Sequence, residues 1–171
     1  LTCGIFDAGM PFLRISYYFT SATLVALGLH AIYYFRIALD IRYVIFLALA
    51  TLGADTFAYF VGRAIGKHKL NPRLSPKKTI EGSIGGIVCG GLLGLAYAYC
   101  VQIPYALPHL ALMSFVLSTT GQIGDLTFSS IKRTFEVKDY SQIFPGHGGV
   151  LDRFDSIIFN SMILGFLLTL L

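Results

Sequence analysis

The sequence contains no tryptophan, three cysteines and little charge: Asp, Glu, Lys and Arg make up 13% of its 171 residues. A water-soluble domain carries about 25% charged residues, so an ordinary solvated surface is excluded. Cys3, Cys89 and Cys100 show no metal-ligand spacing, and Cys89 and Cys100 in their apolar surroundings read as small hydrophobes. No GxxxxGK[ST], GxSxG or HExxH pattern occurs, which sets aside a P-loop, a serine-hydrolase elbow and a zinc-protease helix. The chain opens at Leu1 with no initiator methionine and no signal-peptide layout. That predicts a longer protein with further spans upstream.

What the sequence has in excess is apolar length. Hydrophobic residues make up 55%, mean hydropathy is +0.70, and the apolar residues come in long runs. The predicted fold class is all-α: a polytopic transmembrane helical bundle of about five spans, with residues 1–171 forming one integral-membrane catalytic domain. Residues 1–14 read as an interfacial lead-in, followed by spans over Ile15–Phe35 and Tyr43–Gly62. A third span over Ile84–Val101 carries Gly85, Gly86, Gly90, Gly91 and Gly94, a small face for close helix packing. A fourth helix starts near His109, stays apolar to Leu117 and turns polar through Asp125. It either continues through Lys132 or breaks at Gly121 or Gly124. Ser156–Leu171 makes the last span.

Two polar intervals interrupt this pattern. Residues 63–78 hold six Lys/Arg, one His and two prolines, and read as a loop. Residues 129–155 hold four basic and four acidic side chains, one histidine and three glycines. With five spans, Arg14 and both intervals face one side, which gathers eleven Lys/Arg, against Arg36 and Arg42 on the other. The positive-inside rule puts the basic side in the cytoplasm, so the predicted location is the cytoplasmic (inner) membrane with the site facing inward. Basic residues gathered in two membrane-edge loops suit anionic lipid or phosphate, and argue against nucleic acid as a partner.

The same side collects acids. Asp125 ends the small-residue stretch of the fourth helix, and Asp152 and Asp155 are three apart, on one face if helical. Carboxylates that converge in a membrane bundle repel unless a cation lies between them, and hard oxygen ligands select Mg²⁺, Mn²⁺ or Ca²⁺ over zinc. Asp55, about two-thirds along the second span, needs a partner, a polar cavity or a metal. Around the acids lie Lys132, Arg133, Lys138, Arg153 and the flexible His147-Gly148-Gly149. Glycines admit backbone N–H groups to a phosphate, and Lys and Arg neutralise its charge. Each residue alone has an ordinary role: Arg153 in local ion pairs, Lys132 and Arg133 as an anchor, His147 in a loop. Together they describe metal-assisted phosphoryl or nucleotidyl transfer, which rests on positioning and charge stabilisation. An ion-coupled transporter using Asp55, or a non-enzymatic membrane subunit, is the alternative.

The run from Ser130-Ile-Lys132-Arg133 through Lys138-Asp139-Tyr-Ser141 to Pro145-Gly-His147-Gly148-Gly149-Val-Leu-Asp152-Arg153-Phe-Asp155 resembles the signature of the phosphatidate cytidylyltransferase (CDP-diacylglycerol synthase) family. Upstream, Asp55-Thr-Phe-Ala-Tyr-Phe-Val-Gly62-Arg63 and Leu74-Ser75-Pro76-Lys77-Lys78-Thr79-Ile-Glu81-Gly82 resemble its bacterial members, so the likeness covers about residues 50–160. The resemblance implies that CTP and phosphatidate give CDP-diacylglycerol and pyrophosphate, with a divalent cation (Mg²⁺ or Mn²⁺), a K⁺ ion and a homodimer among membrane lipids. It implies metal ligation by Asp125, Asp152 and Asp155, and catalytic roles for these acids with Lys132, Arg133 and His147. It implies substrate binding by Ser75, Lys77, Lys78, Thr79, Glu81, Lys138, Asp139, Gly148, Gly149 and Arg153, with Asp55 and Arg63 as further candidates.

Overall fold

Five long helices and one short β-hairpin form among the residues that the computed structural model describes, 12–71, 75–134 and 151–171; residues 12–14, 17, 18, 76, 134 and 151–153 are described by backbone alone. Helix α1 runs Phe12–Tyr34 and ends in a π-helical turn, Phe35–Leu39, where the Asp40 N–H donates to the Phe35 carbonyl at 2.9 Å. Asp40 is extended and caps α2 (Ile41–Ile65), its carboxylate accepting from the Arg42 N–H at 2.9 Å. A short acceptor side chain at this position satisfies a free helix-start donor, so a new helix begins one residue after the last one stops.

Strands β1 (Lys69–Asn71) and β2 (Ser75–Thr79) follow, pairing antiparallel with Lys69 opposite Thr79 and Asn71 opposite Ser75. The basic interval read as a loop is therefore a helix end followed by a hairpin. A lone two-stranded hairpin is marginal in water; this one is stapled at its base. The Ile80 N–H donates to the His68 carbonyl at 2.9 Å. The Glu81 carboxylate accepts from the backbone N–H of Lys67 at 3.1 Å and of His68 at 3.2 Å, and lies 2.6 Å from His68 Nδ1. Thr79 ends β2 and caps α3 (Ile80–Cys100), its hydroxyl oxygen accepting from the Gly82 N–H at 3.1 Å.

Helices α4 (Leu107–Thr134) and α5 (Leu151–Leu170) complete the bundle. α4 does not break at Gly121 or Gly124 but continues through Lys132. In α2 the buried residues Tyr43, Phe46, Leu47, Ala50, Thr51, Gly53 and Ala54 recur at three- and four-residue steps, a single helical face. It meets the small stripe of α3, in which Gly82, Gly86, Gly90, Gly94 and Ala98 recur every fourth residue. A Cβ built on Gly90 would lie 2.6 Å from the Ala54 backbone, so glycine is what lets the two helices touch backbone to backbone. α4 packs against α2, α3 and α5, and α1 lies on α5. Phe35, Phe46, Leu47, Met113, Leu117 and Leu164 fill the core.

Polar groups inside the bundle are paired across helices. Asn160 of α5 donates through Nδ2 to Thr51 Oγ1 at 2.8 Å and to the Leu117 carbonyl at 2.7 Å, and its Oδ1 accepts from Thr120 Oγ1 at 2.7 Å. Groups away from water must be satisfied internally, and this knot joins α2, α4 and α5. The outer faces are apolar: Leu27, Ile45, Leu52, Leu92 and Phe166 are among the exposed side chains.

Among the described residues, three helices are long and apolar enough to cross a membrane: Phe19–Leu39, Ile41–Ile65 and Ile80–Cys100. The protein is an α-helical polytopic bundle on that basis. α4 falls outside the set because its second half is polar, and the apolar part of α5, Phe154–Leu170, is shorter. Five helices thus stand near the five expected spans, with three of them having the length and hydropathy of one.

Candidate functional site

The polar ends of α2, α3, α4 and the hairpin meet at one end of the bundle. α2 presents Asp55 nearly three turns before its C-terminus, on the helix face that also carries Thr51 and Ala58. From α4 comes Asp125 and from β2 comes Lys78, whose ammonium is 2.5 Å from Asp125 Oδ2 and 3.9 Å from Asp55 Oδ1. All three side chains are about one-quarter to one-third exposed. One lysine thus bridges two acids brought from 70 residues apart in sequence. The carboxylate that the second span could not carry alone has its partner on the neighbouring hairpin.

Asp55 and Lys78 border a cavity of about 290 Å³, lined also by Tyr59, Arg63, Ser75 and Lys77 among others. Ser83 of α3 and Gln122 of α4 also line it. The Ser83 hydroxyl donates to Gln122 Oε1, and Gln122 Nε2 donates to the Ser83 carbonyl at 3.1 Å. A paired amide and hydroxyl leave this part of the lining polar but internally satisfied. The lining also carries three cationic side chains, Arg63, Lys77 and Lys78, with Ser75 between them in sequence. Arg63 reaches back along α2, donating from Nη1 to Tyr59 Oη at 3.4 Å.

A second ion pair stands where α4 meets the start of α5. Lys132 Nζ is 3.9 Å from Asp155 Oδ2, both side chains being nearly buried. Asp155 Oδ1 accepts from the Ser156 N–H at 2.7 Å. Asp125 lies within electrostatic reach of both Asp55 and Asp155 and repels each. Two buried carboxylate oxygens beside it, Asp55 Oδ1 and Asp155 Oδ2, accept no hydrogen bond. Each faces an ammonium at 3.9 Å, Lys78 and Lys132 respectively, beyond hydrogen-bond distance, and oxygen donors of this kind suit a hard divalent cation. Among the described residues, however, no three acids stand close enough to hold one ion between them. The acids fit such a cation in chemistry and charge, with Lys78 occupying the space beside Asp125.

Of the residues singled out in the sequence, Asp55, Arg63, Ser75, Lys77, Lys78 and Thr79 border one cavity, and Asp125 joins them through Lys78. Asp155 and Lys132 form the adjoining pair. The Thr79 hydroxyl is engaged in capping α3, and both Glu81 oxygens face the hairpin base. Arg133 is exposed in the last turn of α4. Asp152 and Arg153 fall in the first turn of α5, described by backbone alone, while Lys138, Asp139, His147, Gly148 and Gly149 lie outside the described residues. Sequence reading gave no site role to Ser83, Gln122, Tyr59 or Gly62, the last two lying within the Asp55–Arg63 motif. The signal for Gln122 was available: an amide in a helix between apolar runs requires a partner.

A family model described as the Cytidylyltransferase family matches residues 6–171. Among curated proteins, the phosphatidate cytidylyltransferase of Bacillus subtilis (strain 168) is 45% identical over 130 residues, covering 76% of this chain and 48% of that protein. The phosphatidate cytidylyltransferase of Staphylococcus epidermidis (strain ATCC 12228) is 44% identical over 157 residues, 92% of this chain and 60% of its own length. That of Staphylococcus saprophyticus is 41% identical over the same extent. The chain spans about half to three-fifths of the length of these relatives.

Proposed function

The chain belongs to the cytidylyltransferase family, and from that premise we propose that it is the catalytic part of a phosphatidate cytidylyltransferase of the cytoplasmic membrane. The reaction is CTP plus phosphatidate to CDP-diacylglycerol plus pyrophosphate. A phosphate oxygen of phosphatidate forms the new bond to the α-phosphorus of CTP. The bond from that phosphorus to the oxygen bridging the β-phosphate breaks, and pyrophosphate leaves with the electron pair. The observation that carries the reading is the meeting of Asp55, Asp125 and Lys78 at a cavity walled by Arg63 and Lys77.

Such transfer needs charge neutralised and reactants aligned. Arg63, Lys77 and Lys78 would face the phosphate oxygens, Arg63 as a fork and the lysines as point charges. The Ser75 hydroxyl would donate to a phosphate oxygen. Asp125, with Asp152 and Asp155 of α5, would hold Mg²⁺ or Mn²⁺. When bound, the divalent cation supplies Lewis-acid stabilisation of the charge on the phosphates. Lys132 holds Asp155 at the junction of α4 and α5. Glu81 acts indirectly, fixing the hairpin that carries the lysines. His147, Lys138, Asp139, Gly148, Gly149, Arg153 and Arg133 complete the substrate contacts on the family's pattern. A homodimer and a K⁺ ion at the same centre belong to this reading through the resemblance alone. The exposed apolar faces of the spans support a cavity at the membrane edge, where a phosphatidate headgroup would reach it without its acyl chains leaving lipid. The excess of Lys and Arg at this end supports a cytoplasmic orientation.

The transporter reading loses its motivation, since Asp55 is partnered by Lys78. The test is to supply the purified full-length protein with CTP, phosphatidate and Mg²⁺ and look for CDP-diacylglycerol by mass spectrometry. ATP, GTP and dCTP in place of CTP report how strictly the nucleotide is read. A folded protein that forms no CDP-diacylglycerol from CTP overturns the proposal.

A further inference from the structure

We propose that Lys78 holds the position of the divalent cation beside Asp125, so that the Lys78–Asp125 ion pair and a metal bound to Asp125 exclude one another. The inference rests on the divalent-cation reading of the site and adds to it a residue that metal must displace.

Distance is the first argument. The Lys78 ammonium stands 2.5 Å from Asp125 Oδ2, and Mg²⁺ or Ca²⁺ sits about 2.0–2.6 Å from its carboxylate oxygens. An ion that takes the ammonium's place on Oδ2 must displace it, and Lys78 is the side chain that stands there. Charge is the second. Asp125 repels both Asp55 and Asp155, and the ammonium bridges the first of those pairs, 3.9 Å from Asp55 Oδ1. It performs between the acids the neutralisation that a metal would perform. The leftover oxygen fits the same account. Asp55 Oδ1 is buried without a hydrogen bond and lies 3.9 Å from the ammonium, so Lys78 offsets its charge without using its acceptor capacity.

The scaffold lets the ammonium leave without disturbing the fold. Lys78 ends in a compact charge on a flexible four-carbon stem, while its backbone is in β2, paired with β1 and fixed at its base by Glu81. Once released, the side chain has the cavity it already lines to move into, beside Arg63 and Lys77. Lys77, next in the strand, is exposed, and among the described residues it forms no ion pair with these acids.

The experiment measures metal occupancy in the purified full-length protein, without nucleotide or phosphatidate, by titrating Mn²⁺ and following free Mn²⁺ by electron paramagnetic resonance. Lys78→Met is expected to bind Mn²⁺ about tenfold more tightly than wild type, the size of a close charge-pair coupling. Lys77→Met is expected to change affinity by about twofold or less, because it removes the same charge from the same strand without vacating the position. A Lys78→Met affinity equal to or weaker than wild type overturns the inference. So does an equal gain in Lys77→Met, which would reduce the effect to general charge. A second measurement needs no variant: acetylation of wild-type lysines by acetic anhydride, read by mass spectrometry. Mn²⁺ is expected to raise labelling of Lys78 severalfold relative to Lys77, and unchanged relative labelling overturns the inference. Mn²⁺ binding that follows these expectations in a protein that makes no CDP-diacylglycerol leaves the exchange standing and overturns the reaction alone. Absence of Mn²⁺ binding in every form overturns the exchange and the divalent-cation reading together, and leaves cytidylyl transfer to be judged by the CTP assay.

Discussion

Replacing Gly90 by alanine adds one methyl group at a close backbone approach between α2 and α3, and the structure says what that methyl meets. Its Cβ would lie 2.6 Å from both the N and the Cα of Ala54, atoms of a helix backbone that cannot rotate aside. Ordinary carbon contacts are about 3.5–4.0 Å, so α2 and α3 must part by roughly 1 Å. Overpacking of this kind costs about 1–3 kcal/mol, against a helix-propensity gain of roughly 1 kcal/mol on replacing glycine. Gly165→Ala isolates that gain. It is also within a helix, and its Cβ would meet Phe35 at 3.7 Å, an ordinary contact. The two variants make the same chemical change, so the difference between them is the overpacking. At about 2–4 °C per kcal/mol for a chain of this size, Gly90→Ala should melt several degrees below Gly165→Ala. Thermal unfolding in detergent, followed by circular dichroism because the chain has no tryptophan, measures it. Parting the helices also moves Asp55, the residue after Ala54, relative to Lys78. A misplacement of about 1 Å can lower turnover on the order of 100-fold. Cytidylyl transfer by Gly90→Ala should therefore fall well below that of Gly165→Ala at temperatures where both are folded. A Gly90→Ala protein that melts at or above Gly165→Ala refutes the close-packing argument.

Asp125→Asn should lower CDP-diacylglycerol formation by on the order of 100-fold or more, the scale of losing one transition-state charge contact, while leaving helix content unchanged; wild-type turnover would sink the role given to this acid. Glu81→Gln keeps one acceptor oxygen but loses the charge facing His68, so backbone hydrogen exchange over residues 67–79 should quicken and KM for CTP should rise more than kcat falls. Unaltered exchange in that segment would show that the hairpin does not depend on the Glu81 staple. Asn160→Leu removes the amide that joins Thr51, Thr120 and the Leu117 carbonyl, and should cost about 1–2 kcal/mol, at the upper end for polar pairs in membrane bundles. In the Thr51→Ala background the same change should cost less, and equal costs in the two backgrounds would deny the coupling.

How much of this was legible beforehand depended on whether the signal was local. The glycine spacing of α3 is written in one segment, and it correctly announces a close partner, since a fourfold repeat of small residues has that packing consequence wherever it occurs. Hydropathy locates the helices but marks only three as long apolar spans among the described residues, because α4 stops being apolar after Leu117 and then packs its polar half inside the bundle, with Ser118 and Gln122 buried. The hairpin was illegible for a different reason. Residues 63–78 have the composition of a loop, with prolines at 72 and 76, and strand pairing there depends on a carboxylate at Glu81 that binds Lys67 and His68 backbone groups from beyond the strands. No window short enough to read as a strand contains that staple.

The consequence reaches the site. A carboxylate in the second span demands a partner on energetic grounds, and that demand is readable from Asp55 alone. Which partner answers it is decided by the hairpin, since only its pairing sets Lys78 at both Asp55 and Asp125. Residue types therefore announce that charge must be neutralised here, while tertiary structure decides whether a lysine or a metal does it. If Lys78 and a divalent cation exchange at Asp125, the hairpin does more than carry substrate contacts. It keeps the acids apart in charge until the ion arrives, and the same Glu81 staple that holds β2 in register sets how far Lys78 can reach. Weakening the staple should then loosen the competition, so Glu81→Gln should bind Mn²⁺ more tightly than wild type but less tightly than Lys78→Met. An affinity equal to wild type would separate the hairpin's stability from the metal site and confine Glu81 to folding.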